Sequence, residues 1–150
     1  MNDYLNDPRI HREIIMDHYQ HPHNHHLSED PSYLKAHMAS ESCIDDLTVM
    51  MKLENGVITD VCFDGVGCTV STASTSILTT LTKGKTVKEA KAIIAEYYTM
   101  IDLKPFDVEV LQEAVAFQNV GKQANRINCA TIGAKAILQM IHEKEHHDEK

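Results

Sequence analysis

The stretch LTVMMKLENGVITDVCFDGVGCTVS, residues 47–71, carries the signals from which the fold is read. Leu47, Val49, Met51 and Leu53 alternate with Thr48, Met50, Lys52 and Glu54, the period-two pattern of a strand with one buried face. Glu54-Asn55-Gly56 is the turn. A two-residue Asn-Gly turn puts Leu53 on the face of Ile58, Asp60, Cys62 and Asp64. A three-residue turn, with Gly56 at positive φ beside a bulge, matches it instead with Val57, Thr59, Val61 and Phe63. The second gives one continuous apolar face, is the expected register, and sends Cys62 to the opposite side. The run then turns on Gly65 and Gly67 and delivers Cys68 to the mouth of a helix. Free N–H groups at a helix start attract negative charge and suit a thiolate.

Working outward, Ala36, Met38 and Ser40 add a third strand before the hairpin. Ile10, Ile14, Ile15 and His18 lie at helical spacing after Pro8, so a first helix runs to about Tyr19 and stops before Pro22. His21-Pro22-His23-Asn24-His25-His26 is a loop by its Pro and Asn; five histidines fall within nine residues here, and they are read as unliganded. Beyond Cys68, Val70, Ala73, Ile77, Leu78 and Leu81 form an apolar stripe ending at Gly84. Thr86 with Glu89 is a capping box, opening a helix that buries Val87, Ala90, Ile94, Tyr97 and Ile101. Asp107 caps a shorter helix through Val108, Leu111 and Val115. The last helix carries Ile132, Ala136, Ile137, Met140 and Ile141, and is expected to fray from about residue 143 into a charged, solvated tail. Strands followed by helices give an α+β class: a small antiparallel sheet of about three strands, with helices on one face.

Composition narrows the function. At 150 residues, with no repeat or linker, the chain reads as a single domain over 1–150. A net charge of −8 argues against nucleic acid or an anionic membrane as main partner. The longest uncharged run, Gly65 to Thr82, is half Ser and Thr, so it is no membrane span. The N-terminal MNDYLNDPRIHREIIMDHY has four acidic residues and no apolar secretory core. A reducing, cytoplasmic setting is expected, where cysteines serve as metal ligands or reactive thiols rather than disulfides. Gly65 and Gly67 are no dinucleotide fingerprint, since position 70 is valine and no βαβ unit surrounds them. Ser71, Ser74 and Ser76 show no nucleophile elbow and are read as helix surface.

Four residues carry the chemistry. Cys43 and Asp45 are two apart at a strand start and point the same way. If Leu47 lies opposite Phe63, they approach Gly65 to Cys68. Cys129 sits near the start of the last helix, with Asn128 a candidate cap. Three thiolates and a carboxylate suit tetrahedral Zn²⁺, at about 2.3 Å for sulfur and about 2.0–2.2 Å for oxygen. The formal charge of that set is offset by helix N-termini and Arg126. The intervals of 24 residues from Cys43 to Cys68 and 60 from Cys68 to Cys129 contain no CxxC, so buried inert cysteines are the competing reading. Cys62 is read as a strand cysteine without a role.

The segments Cys43-Ile44-Asp45, Gly65-Val66-Gly67-Cys68 and Arg126-Ile127-Asn128-Cys129-Ala130-Thr131 resemble the three motifs of the IscU/NifU-type family of iron–sulfur assembly proteins. Ile15-Met16-Asp17-His18-Tyr19, followed by Pro22 and Asn24, is similar as well. The long Cys68–Cys129 interval, and Asn128 where the scaffold branch has a histidine ligand, resemble the SufU branch. That resemblance implies a zinc-dependent sulfurtransferase working with a pyridoxal-phosphate cysteine desulfurase of SufS type and with downstream iron–sulfur assembly proteins. It implies zinc on Cys43, Asp45, Cys68 and Cys129, and Cys43 as acceptor of persulfide sulfur once a partner histidine has displaced it. Arg126 takes the place of a basic residue at the partner interface. The alternatives are an IscU-like scaffold holding a transient iron–sulfur cluster, and a structural zinc domain that only binds partners. The family has Cys-Gly-Asp where this chain has Ile44, a stiffer and bulkier residue.

Overall fold

The hairpin forms as two strands, β2 (Asp46–Glu54) and β3 (Val57–Val66), joined by Asn55 and Gly56 at φ 54° and 78°. Positive φ at both positions is the two-residue turn that matches strand twist, so the turn is shorter than the three residues expected. The bulge lies farther along: Leu53 pairs with Ile58 but Lys52 with Asp60, which leaves Thr59 as the extra residue. That insertion turns both Ile58 and Val61 inward, each fully buried. A continuous apolar face is therefore reached by a different route, and Cys62 still lies on the other side. Leu47 faces Gly65, and Val49 faces Phe63, two residue pairs along from the expected match.

The structure is a computed structural model that describes residues 6–39 and 44–148. Its third strand, β1 (Leu34–Ala39), pairs antiparallel with β2, giving the order β1-β2-β3. Five helices complete it: α1 (Pro8–Gln20), α2 (Thr69–Thr82), α3 (Val87–Ile101), α4 (Val108–Leu111) and α5 (Ala124–Asp148). Asp7 caps α1 through Arg9 N–H, and Thr86 with Glu89 forms the expected capping box of α3. Asp107 caps α4, but Gln112 takes φ 50° and the chain continues as a 3₁₀ segment, Gln112–Phe117, rather than one helix through Val115. The last helix runs to Asp148, with Lys91 paired to Glu145.

Helix α2 is the centre of the molecule, with α1, α3, α5 and β3 packed around it. Ser71, Ser74, Thr75, Ser76, Thr79 and Thr82 are all buried, which corrects the reading of Ser71, Ser74 and Ser76 as surface. Local bonding makes the burial of all of these but Thr75 tolerable. Thr79 and Thr82 hydroxyls donate to the carbonyls of Ser76 and Leu78, each at 2.8 Å. Ser76 Oγ accepts from His23 N–H and meets His18 Nδ1, both at 2.8 Å, tying α1 and its following loop to α2. Small side chains also let α5 come close. A Cβ added at Gly133 would lie 2.7 Å from Thr75 Oγ1 and 3.1 Å from Thr75 Cα. Tyr97 Oη donates to the Ala130 carbonyl at 2.7 Å from a fully buried ring, joining α3 to the same stretch of α5.

Candidate metal centre

Gly65 takes φ 129°, and a Cβ there would lie 2.2 Å from the Asp46 carbonyl oxygen. Only glycine lets the end of β3 lie this close to β2. The chain then reaches Cys68, the N-cap of α2, whose Sγ accepts from Ser71 N–H at 3.4 Å. Asp45, just before β2, is 2% exposed, and its Oδ1 accepts from Cys68 N–H at 2.9 Å and from Ser71 Oγ at 2.8 Å. The expected approach of Asp45 to Cys68 is therefore present, with Ser71 as a third member that the sequence reading assigned to the surface. Its position three residues after the N-cap is the signal that could have found it.

Cys129 is buried in the second turn of α5, and its carbonyl lies 3.3 Å from Ser74 Oγ. Helix α5 begins at Ala124, so Asn128 is not a cap; it is exposed and its Oδ1 accepts from Lys135 Nζ at 3.4 Å. One ligand atom each from Asp45, Cys68 and Cys129 lies within 4.8 Å of the others. Tetrahedral zinc with Zn–S of about 2.3 Å needs sulfurs roughly 3.8 Å apart, so slight closure suffices. Cys43 lies outside the described residues. Arg126 is exposed on the first turn of α5 and, among the described residues, forms no ion pair.

One atom shows how the donor set suits a cation. Asp45 Oδ2 is buried and has no hydrogen-bond partner among the described residues. A carboxylate with one oxygen bonded and the other bare pays a full desolvation cost unless a cation meets it. Two thiols grouped with that carboxylate make a cation such as zinc the fitting one. Beside the site, Ile44 is 69% and Val66 59% exposed, large apolar side chains at its edge.

Cys62 also sits as expected, on the sheet face away from Val61 and Phe63, beneath the loop that follows α1. Burial pushes its thiol up, with the Asp60 charge adding to that. The loop histidines are not all idle: His25 Nε2 pairs with Asp64 Oδ1 at 3.1 Å, and His23 Nδ1 lies 3.1 Å from Thr80 Oγ1. No helix of the described residues is long and apolar enough to cross a membrane.

Residues 10–149 match the family model of the NifU-like N-terminal domain. The chain is 33% identical to the zinc-dependent sulfurtransferase SufU of Bacillus subtilis (strain 168), over 91% of this chain and 92% of that one. It is 30% identical to the iron–sulfur cluster assembly scaffold protein IscU of Streptococcus pyogenes serotype M1, over 88% and 82%. A solved structure assigned as an iron–sulfur cluster assembly scaffold for the SUF system, from Fervidobacterium islandicum AW-1, superimposes with a TM-score of 0.77 at 28% identity, covering 86% of this chain and 94% of that one. With the hairpin, the helix-mouth thiol and the α5 cysteine arranged as above, the chain belongs to the NifU-like N-terminal domain family, the iron–sulfur assembly group that includes SufU and IscU.

Proposed function

We propose that the chain is a zinc-dependent sulfurtransferase of the SufU kind, taking persulfide sulfur from a pyridoxal-phosphate cysteine desulfurase for iron–sulfur assembly. The observation that carries this reading is the grouping of Asp45, whose buried Oδ2 is bare among the described residues, with Cys68 and Cys129. Cys43, two residues before Asp45 in sequence, completes the set, and the likeness to a zinc-dependent sulfurtransferase supports it. Bound zinc would keep the coordinating thiols deprotonated and shielded.

The chain's own residues do the rest. Cys68 N–H and Ser71 Oγ fix Asp45 through Oδ1, so Oδ2 is left for the cation. Cys43 is the nucleophile: its thiolate attacks the terminal sulfur of the partner's cysteine persulfide. One S–S bond forms on Cys43, the partner's S–S bond breaks, and the partner cysteine leaves as thiolate, with no net oxidation. Exposed Ile44 and Val66 give the partner an apolar rim beside the site. On this reading Ile44 is a docking residue, and its departure from the family glycine alters fit rather than metal binding. Arg126, exposed on the first turn of α5, extends the same interface.

The scaffold reading requires a further ligand next to Cys129. Asn128 is exposed and engaged with Lys135, which favours the acceptor over the scaffold. The test is Cys43→Ala assayed with the cognate desulfurase. The expected result is a folded, zinc-containing chain that no longer stimulates the enzyme or carries persulfide. Undiminished stimulation contradicts the proposal, visible cluster absorption after reconstitution supports the scaffold, and unfolding on loss of Cys43 supports a structural zinc domain.

A further inference from the structure

A second group of metal-ligand side chains lies on the outer face of β3, apart from the centre just described. Cys62, Asp60 and His26 each bring one ligand atom within 4.8 Å of the others. Cys62 is fully buried, Asp60 half-buried and His26 exposed, so the group opens toward solvent on the histidine side. Asp60 and Cys62 share a face because they are two apart on a strand. His26 is brought over them by the loop after α1, which is pinned to β3 where Phe63 N–H donates to Asn24 O at 3.0 Å.

The geometry points to a second metal site on Cys62, Asp60 and His26, suited to Zn²⁺ or another divalent transition metal of intermediate softness, with its fourth position open to water. Several observations separate this from a buried cysteine with acidic neighbours. Three different donor types converge, the S/N/O mixture of open zinc sites. Tyr33 Oη donates to Asp60 Oδ2, fixing the carboxylate as outer partners of metal ligands do. The other Asp60 oxygen, Oδ1, already faces a cation, for Lys83 Nζ is 3.2 Å away. That lysine reaches in from the end of α2 and also meets Asn24 Oδ1 at 3.5 Å, so it can withdraw without being stranded. Binding would release the Cys62 proton to solvent and leave the ion, one thiolate and one carboxylate with no net charge.

Equilibrium dialysis of the full chain against Zn²⁺, with Cys62→Ser, His26→Ala and Lys83→Met alongside, tests this. The unaltered chain is expected to bind one equivalent more than Cys62→Ser or His26→Ala. With Co²⁺, the difference spectrum against Cys62→Ser should show a thiolate-to-metal charge-transfer band. Lys83→Met, which removes the competing ammonium, should bind the extra ion several-fold more tightly. Equal stoichiometry in the unaltered chain and both ligand variants, or charge transfer indifferent to Cys62→Ser, overturns the site. His26→Ala alters an exposed side chain, so the comparison survives if Cys62→Ser folds poorly. The extra equivalent is a difference that persists whether or not Cys68 and Cys129 hold zinc, so the two proposals fail separately.

Discussion

Asp45 and Cys68 are joined across the end of the sheet: the Cys68 backbone N–H donates to Asp45 Oδ1 at 2.9 Å. One contact thus links the residue before β2 to the first turn of α2. It also decides which carboxylate oxygen stays bare. Oδ1 has two protein donors; Oδ2 has none among the described residues.

Ser71 is a positioning residue for that carboxylate. Ser71→Ala removes the 2.8 Å donor to Oδ1 and leaves Cys68 N–H alone to hold it. Losing an outer partner of a metal ligand weakens affinity about 10–100-fold. Zinc competition against a chromophoric chelator should show that loss, with the far-UV spectrum unchanged. Unaltered affinity would mean Asp45 is not a ligand.

Gly133 sets the distance between α2 and α5. Gly133→Ala forces a methyl to 2.7 Å from Thr75 Oγ1 and 3.1 Å from the Thr75 backbone, inside a fully buried contact. Overpacking of this kind costs about 1–3 kcal/mol, readable as a lower denaturation midpoint. Gly133 is one turn beyond Cys129, so zinc affinity should fall with stability. A variant as stable as the parent would show that the helices separate freely.

Thr75 Oγ1 is buried with no hydrogen-bond partner among the described residues. Thr75→Val keeps the shape and removes the unpaired hydroxyl, whose burial costs about 1–3 kcal/mol. The variant should match or exceed the parent in thermal midpoint. Clear destabilisation would mean that the hydroxyl has a partner.

Acid should loosen the start of α3. The Thr86 backbone N–H, then its side chain, hold the Glu89 carboxyl below its ordinary value of 4.5. A carboxylate with a depressed folded pKa contributes stability that is full above the unfolded pKa and lost as pH falls through the folded one. The stability difference between the parent and Glu89→Ala should therefore be constant near neutrality and shrink below about pH 4.5. A difference that does not change on acidification would contradict the capping box.

How much of this the sequence told can be judged residue by residue. The hairpin, the N-cap at Cys68 and the Thr86–Glu89 box were legible because each rests on a few neighbouring residues. The bulge at Thr59 was not: Ile58 and Val61 both turn inward for the sake of helices packed far along the chain. Ser71, Ser74 and Ser76 looked like surface because hydroxyls usually are. Their burial follows from α2 being surrounded, and no local pattern states that. Asn128 resembled a cap because Asn is a favoured N-cap residue, yet α5 begins at Ala124. The approach of Asp45 to Cys68 was legible from strand pairing, whereas the grouping of Cys62 with Asp60 and His26 depended on where a loop crosses the sheet.

The central claim is that one divalent ion is held by residues distant in sequence, with Asp45 Oδ2 facing it. Its most direct measurement is the zinc content of the purified full chain and of Asp45→Ala, Cys68→Ser and Cys129→Ser, after dialysis at a free zinc level too low to fill a weaker second site. The account predicts one tightly held zinc in the parent and its loss in each variant. Zinc retained undiminished in Cys68→Ser and Cys129→Ser, or no zinc in a folded, reduced parent supplied with it, would contradict it.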